Sequence, residues 1–327
     1  MRGTRFKLAA TTLLGIGLVA ILLVMVGFQE IGRTLAGVEP LFLLFGFLAY
    51  AFFFVCRGVR WRFLLRTVAP DTTVADTASL SAAGWLVSTF VPLKAGDVTR
   101  AALLAHRSRT NVFGIAGTVA IERALDVIGI ALFSSVSLLM LAAFLHNTIP
   151  STIAEAVAFA WAAPIAGVLT LLLVARLIKD PEPTQRWKRF VKRFAHAADE
   201  LRRSPRRLPL LVLLTALTSF AQVSMFLFLI HAVAPTLPMQ IVAAGVPLFL
   251  LSFVISITPA HVGTYEAAFV AIFSLLGLEA ATLLPAAFAL HILTASIVTV
   301  LGTIGFIQFR LTAPIPPPIP ATAEATP

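Results

Sequence analysis

Cysteine is almost missing from the chain: Cys56 stands alone, which excludes an intramolecular disulfide and a cysteine-based metal site. Charge is scarce as well. Only 12% of the residues are Asp, Glu, Lys or Arg, well under the roughly 25% of a soluble domain, and 59% are hydrophobic. The six histidines are scattered without ligand spacing, so no metal is expected. No P-loop, Gly-rich nucleotide motif or nucleophile-and-base set is present, which argues against ATP-driven work and hydrolysis and for a protein that is not an enzyme and has no cofactor.

What the chain has instead is a series of apolar stretches. Several reach the ~20 residues that cross a ~30 Å hydrocarbon core, so the expected fold is an all-α polytopic membrane protein. Spans are expected at about 8–28, 40–56, 112–145, 153–177, 208–231 and 284–309. The first follows Arg2, Arg5 and Lys7 like a secretory signal, but its apolar run is too long and lacks a clear A-x-A site, so it reads as a retained span.

The net charge of +10 would suggest nucleic acid in a soluble protein. Position argues otherwise. Of the 25 Lys and Arg, all but Arg33, Arg123 and Arg176 fall in segments that this topology places on one side, ten of them between Lys179 and Arg207. That is the positive-inside pattern of a cytoplasmic membrane protein with both termini inside. The reading excludes nucleic acid as a partner. The chain is expected to re-enter the cytoplasm at Cys56-Arg57, with Arg60-Trp61-Arg62 as an interfacial anchor. Within the basic loop, Trp187 to Phe194 alternates aromatic and basic residues and predicts a short amphipathic surface helix.

Two segments break their apolar runs alike: Val91-Pro92-Leu93-Lys94-Ala95-Gly96-Asp97-Val98-Thr99-Arg100 and Thr258-Pro259-Ala260-His261-Val262-Gly263-Thr264-Tyr265-Glu266. Pro and Gly four residues apart interrupt each. The stretch 78–92 makes about 22 Å of helix, too short to span, and is bounded by cytoplasmic charge. Each break therefore predicts a re-entrant helical hairpin, one opening from each side, related by inversion. Such interrupted segments in corresponding halves point to a transporter's binding site. Because 240–258 would make ~28 Å of helix, eight full spans is the alternative architecture. The chain divides into one transmembrane domain, 1–310, with halves of about 1–145 and 153–310 joined through the 179–207 basic loop. The Pro-rich tail 311–327 is expected to be disordered.

Ionisable residues within apolar spans are costly and pair inside the bundle or face a cavity. Asp97, Glu122, Arg123, Asp126 and Glu266 stand out. Arg123 and Asp126 sit i,i+3 and can pair locally. Glu122 and Asp126 are like charges i,i+4 and need either a cation from elsewhere, for which Arg100 is available, or a raised pKa. The first break flanks Asp97 and Arg100, the second Glu266. His261 lies within the second break, where it could meet a phosphate, relay a proton or be an ordinary interfacial histidine.

The order Arg57-x-x-Arg60-Trp61, Pro92-x-x-x-Gly96-Asp97-x-x-Arg100, Glu122-Arg123-x-x-Asp126 and Thr258-Pro259-x-x-x-Gly263-x-x-Glu266 resembles the flippase-like family named after the transmembrane region of bacterial lysylphosphatidylglycerol synthases. The resemblance covers about 8–310. It implies the lipid-moving half of such proteins without a synthase domain, and substrate-binding roles for Asp97, Arg100, Glu122, Arg123, Asp126 and Glu266. Pro259-Ala260-His261 stands where Gly-Gly is common. The implied function is translocation of a lipid, or lipid-linked precursor, with a phosphate-containing or charged headgroup across the cytoplasmic membrane. A lipid-modifying membrane enzyme and an accessory subunit of a lipid or glycan biosynthesis complex are the alternatives. A homo-oligomer or a lipid-biosynthesis enzyme partner fits either family role.

Overall fold

A computed structural model describes residues 28–91, 95–144, 151–178, 185–203, 205–254, 258 and 261–312. Among these residues the structure is all-helical, with eleven α-helices and two short 3-10 helices. Five helices are long and apolar enough to cross a membrane. They match five of the six expected spans; the first, 8–28, lies outside the described residues, as does the tail beyond Thr312.

Helix α1 (Phe28–Ala36) occupies what was expected to be loop. An i,i+3 pair, Arg33 to Glu30 at 2.6 Å, supports it, and Ile31 is buried. Helix α2 (Pro40–Leu64) opens on a proline in the first turn, where the missing N–H costs nothing. It runs about 37 Å and does not surface at Cys56. Arg57, Arg60 and Trp61 are all buried in it, so the expected interfacial anchor is corrected. The arginines stay inside because carboxylates of another helix meet them there.

Helices α3 (Val74–Phe90) and α4 (Ala95–Ser108) form a helical hairpin around the first break. A capping box starts α3: Thr73 Oγ1 accepts from the Asp76 N–H at 3.1 Å and Asp76 accepts from the Thr73 N–H at 3.0 Å. Pro92 and Lys94 lie outside the described residues. Gly96 is not in the break itself but in the first turn of α4. Its role is close approach: a Cβ there would overlap the Gly84 carbonyl of α3, and its N–H donates to Ser88 Oγ at 3.1 Å.

Helix α5 (Val112–Phe144), about 50 Å long, crosses the bundle. Helix α6 (Ser151–Leu177) sits at the periphery with Phe159, Leu169, Leu173 and Leu177 exposed, as a lipid-facing helix should be. The expected amphipathic helix is α7 (Arg186–Arg203). Its apolar face is covered by protein: Val191 and Phe194 are buried, the latter beside Gly117 of α5.

Helix α8 (Leu208–Val233) packs along α2, and α9 (Met239–Leu251) and α10 (Thr264–Leu275) flank the second break. They are about 20 and 18 Å long, each short of a ~30 Å crossing. Helix α11 (Ala280–Leu311) closes the bundle against α3, where Gly302 lies on Leu86 and Gly305 on Ser79. The principal core gathers aromatic and aliphatic side chains of α2, α8, α9, α10 and α11.

Candidate functional site

Three helices meet at a buried ionic cluster. Helix α2 contributes Arg57 and Arg60, one turn apart; α4 contributes Asp97 and Arg100; α5 contributes Glu122, Arg123 and Asp126. Glu122 receives Arg57 at 2.7 Å and Arg100 at 2.8 Å. Asp126 receives Arg57 at 2.9 Å, Arg123 at 3.2 Å and, closest, Arg60. Asp97 receives Arg123 at 2.6 Å and Arg100 at 3.1 Å. Charges at this depth persist only when paired and hydrogen-bonded, which is what this lattice supplies. Aromatic faces complete it: Trp61 lies 4.4 Å from the Arg100 guanidinium and Trp85 5.3 Å from that of Arg57.

The expected local pair Arg123–Asp126 is present. The external cation that Glu122 required is Arg100, as anticipated, together with Arg57. Asp126 instead draws on Arg57 and Arg60 of α2. Four guanidinium groups face three carboxylates in the cluster, leaving one positive charge.

The cluster borders a cavity of about 350 Å³, within the size range of ligand sites. Arg57, Asp97, Arg123 and Asp126 line one side; Arg60, Arg100 and Glu122 stand behind them. Arg123 is the most accessible of the arginines, with 31% of its side chain exposed. His261, Tyr265 and His291 line the cavity as well, and Trp85, Phe226 and Phe253 are among the apolar walls.

His261 and Tyr265 come from the second break and the helix that follows it, and His291 from α11. Gly263 and His261 both have positive φ, 78° and 56°, and turn the chain into α10. Glycine adopts that geometry without strain; His261 does not. Pro259 lies outside the described residues. Glu266, in the first turn of α10, accepts from the Gly263 N–H at 2.8 Å. Its other oxygen lies 2.7 Å from His291 Nδ1 of α11. Tyr265 stacks on the His291 ring with centroids 4.3 Å apart. Glu266 is thus not part of the arginine cluster, unlike the other five principal candidates.

His291 and Tyr265 escaped the sequence reading. The rule that singled out the acids, an ionisable group within an apolar span, applies equally to His291 in 284–309. Its pairing with Glu266 required the fold. Among the described residues, no three His, Cys, Asp or Glu side chains converge on a metal-sized site.

Helices of membrane-spanning length around a buried ionic cluster and a cavity lined by polar and aromatic side chains define a multi-pass membrane protein. Residues 10–302 match the family described as lysylphosphatidylglycerol synthase TM region, and the chain belongs to that family. Membership ties it to membrane-lipid biology. No curated protein and no solved structure matches the chain.

Proposed function

We propose that the protein translocates a polar-headgroup lipid or lipid-linked precursor across the cytoplasmic membrane, as a carrier and not an enzyme. The observation that carries this reading is the cavity beside a cluster with one uncompensated positive charge. A phosphodiester bears one negative charge, and bringing it to Arg123 and Arg57 would neutralise the cluster. The cavity is headgroup-sized. The acyl chains would remain in the bilayer, where they cost nothing to keep.

In this reading α3–α4 and α9–α10 are re-entrant hairpins entering from opposite leaflets, related by inversion, and their breaks meet across the cavity. Both termini would be cytoplasmic. The headgroup would bind on the arginine side and pass the histidine side as the hairpins exchange access.

The test is leaflet-resolved labelling of fluorescent phosphatidylglycerol in vesicles with reconstituted protein. Wild type should move label between leaflets, and Arg123→Gln should slow it by about tenfold or more, as loss of a charge-assisted contact predicts. Equal rates in wild type, Arg123→Gln and protein-free vesicles would sink the reading.

A further inference from the structure

Among the described residues, Asp76, Asp97, Glu122 and Asp126 pair with arginine inside the protein; Glu266 pairs with histidine. The difference is chemical. An arginine partner keeps its proton at any accessible pH, so those four carboxylates stay neutralised. A histidine partner exchanges its proton near neutrality. Glu266 and His291 together are neutral when they share one proton and carry a full negative charge when they lack it.

We propose that Glu266 and His291 form a proton-binding site in the wall of the cavity, loaded and emptied through the cavity, and that its occupancy controls lipid movement. Three features support it. Glu266 is almost completely buried, with 2% of its side chain exposed, while His291 reaches the cavity at 14%. The loaded form is held by the 2.7 Å contact and by Tyr265 stacked on the imidazole. The emptied form is also supported, because the Gly263 N–H and the N-terminal end of the twelve-residue α10 point at the same carboxylate. A site with both forms stabilised can cycle between them.

The surroundings suit a single exchangeable proton. The charged side chains lining the cavity from α2, α4 and α5, namely Arg57, Asp97, Arg123 and Asp126, are paired with one another within the cluster, whose one net positive charge faces the same cavity. The other titratable groups facing it are Tyr50 of α2, Tyr265 of α10 and His261 of the turn. Tyrosines ordinarily titrate far above neutrality, so His261 is the competing candidate. In the structure its ring faces Phe253 at 5.3 Å, and the His261→Gln variant below separates it from His291. Proton gain makes the Glu266–His291 pair neutral, with no bond formed or broken other than N–H.

Proton binding is testable apart from transport, and only the control of lipid movement rests on the carrier reading. Full-length protein labelled with 15N-histidine, in lipid nanodiscs, should show a side-chain signal that titrates between about pH 5 and 8, disappears in His291→Gln and persists in His261→Gln. A His291 signal fixed in one state across that range would overturn the site. In vesicles with fluorescent phosphatidylglycerol, wild-type flux should differ by about fivefold between pH 6 and pH 8, and the ratio should fall to about one in His291→Gln while His261→Gln keeps it. A ratio unchanged in His291→Gln would overturn the control. Absence of flux in wild type at every pH would defeat the carrier reading and the control with it, while the titration would still decide the proton site.

Discussion

Replacing Glu122 by glutamine removes the one carboxylate that, among the described residues, holds α2 and α4 to α5 at once. Its side chain is fully buried and serves Arg57 at 2.7 Å and Arg100 at 2.8 Å, with Arg60 at 3.8 Å. Breaking a buried pair by removing one partner costs about 3–5 kcal/mol, because the other charge is left uncompensated. Arg57 keeps Asp126 and Arg100 keeps Asp97, and glutamine retains a carbonyl acceptor, so the lower end applies, about 3 kcal/mol. At roughly 2–4 °C per kcal/mol for a chain of this size class, the melting temperature should fall by about 6–12 °C. A thermal ramp on detergent-purified protein, read as surviving monodisperse material by size exclusion, measures it. Glu30→Gln, at an exposed pair, is the control and should stay within about 2 °C of wild type. Adding Arg100→Gln to Glu122→Gln should recover part of the loss, since it returns the cluster from two net positive charges to one. If Glu122→Gln melts with the control, the cluster does not hold the three helices together and the argument for it fails.

Two further outcomes follow from packing. Gly96→Ala puts a Cβ onto the Gly84 carbonyl and should destabilise by about 1–3 kcal/mol in the same assay, while Gly167→Ala, with no atom within 4 Å, should be neutral or mildly stabilising. Phe194→Ala empties a buried site between α7 and α5 worth about 3–5 kcal/mol, so tryptic cleavage at the bases of α7 should rise at least tenfold under native conditions; unchanged cleavage would mean the helix is held by something else.

Much of the helical plan was legible because membrane helices announce themselves in composition. The expected spans at 112–145, 153–177 and 208–231 lie within a few residues of α5, α6 and α8. The error at Cys56 has a clear cause. Arg57 and Arg60 were read as marks of the interface because an arginine in isolation must reach water, and nothing local says that Glu122 and Asp126, more than sixty residues away, will meet it. The Pro-x-x-x-Gly spacing marks the first break, but spacing alone does not show that Gly96 lets α4 touch α3.

The sequence by itself determined that this is a membrane protein, which segments are apolar enough to be helices in lipid, and which acids at membrane depth need partners. These follow from the cost of exposing backbone and charge to hydrocarbon, a property of each segment alone. Tertiary structure decided the partners. It assigned arginine to Asp97, Glu122 and Asp126 and histidine to Glu266, and so set Glu266 apart from the arginine cluster. Pairing depends on where helices far apart in sequence come within 3 Å, and residue type alone carries no record of that distance.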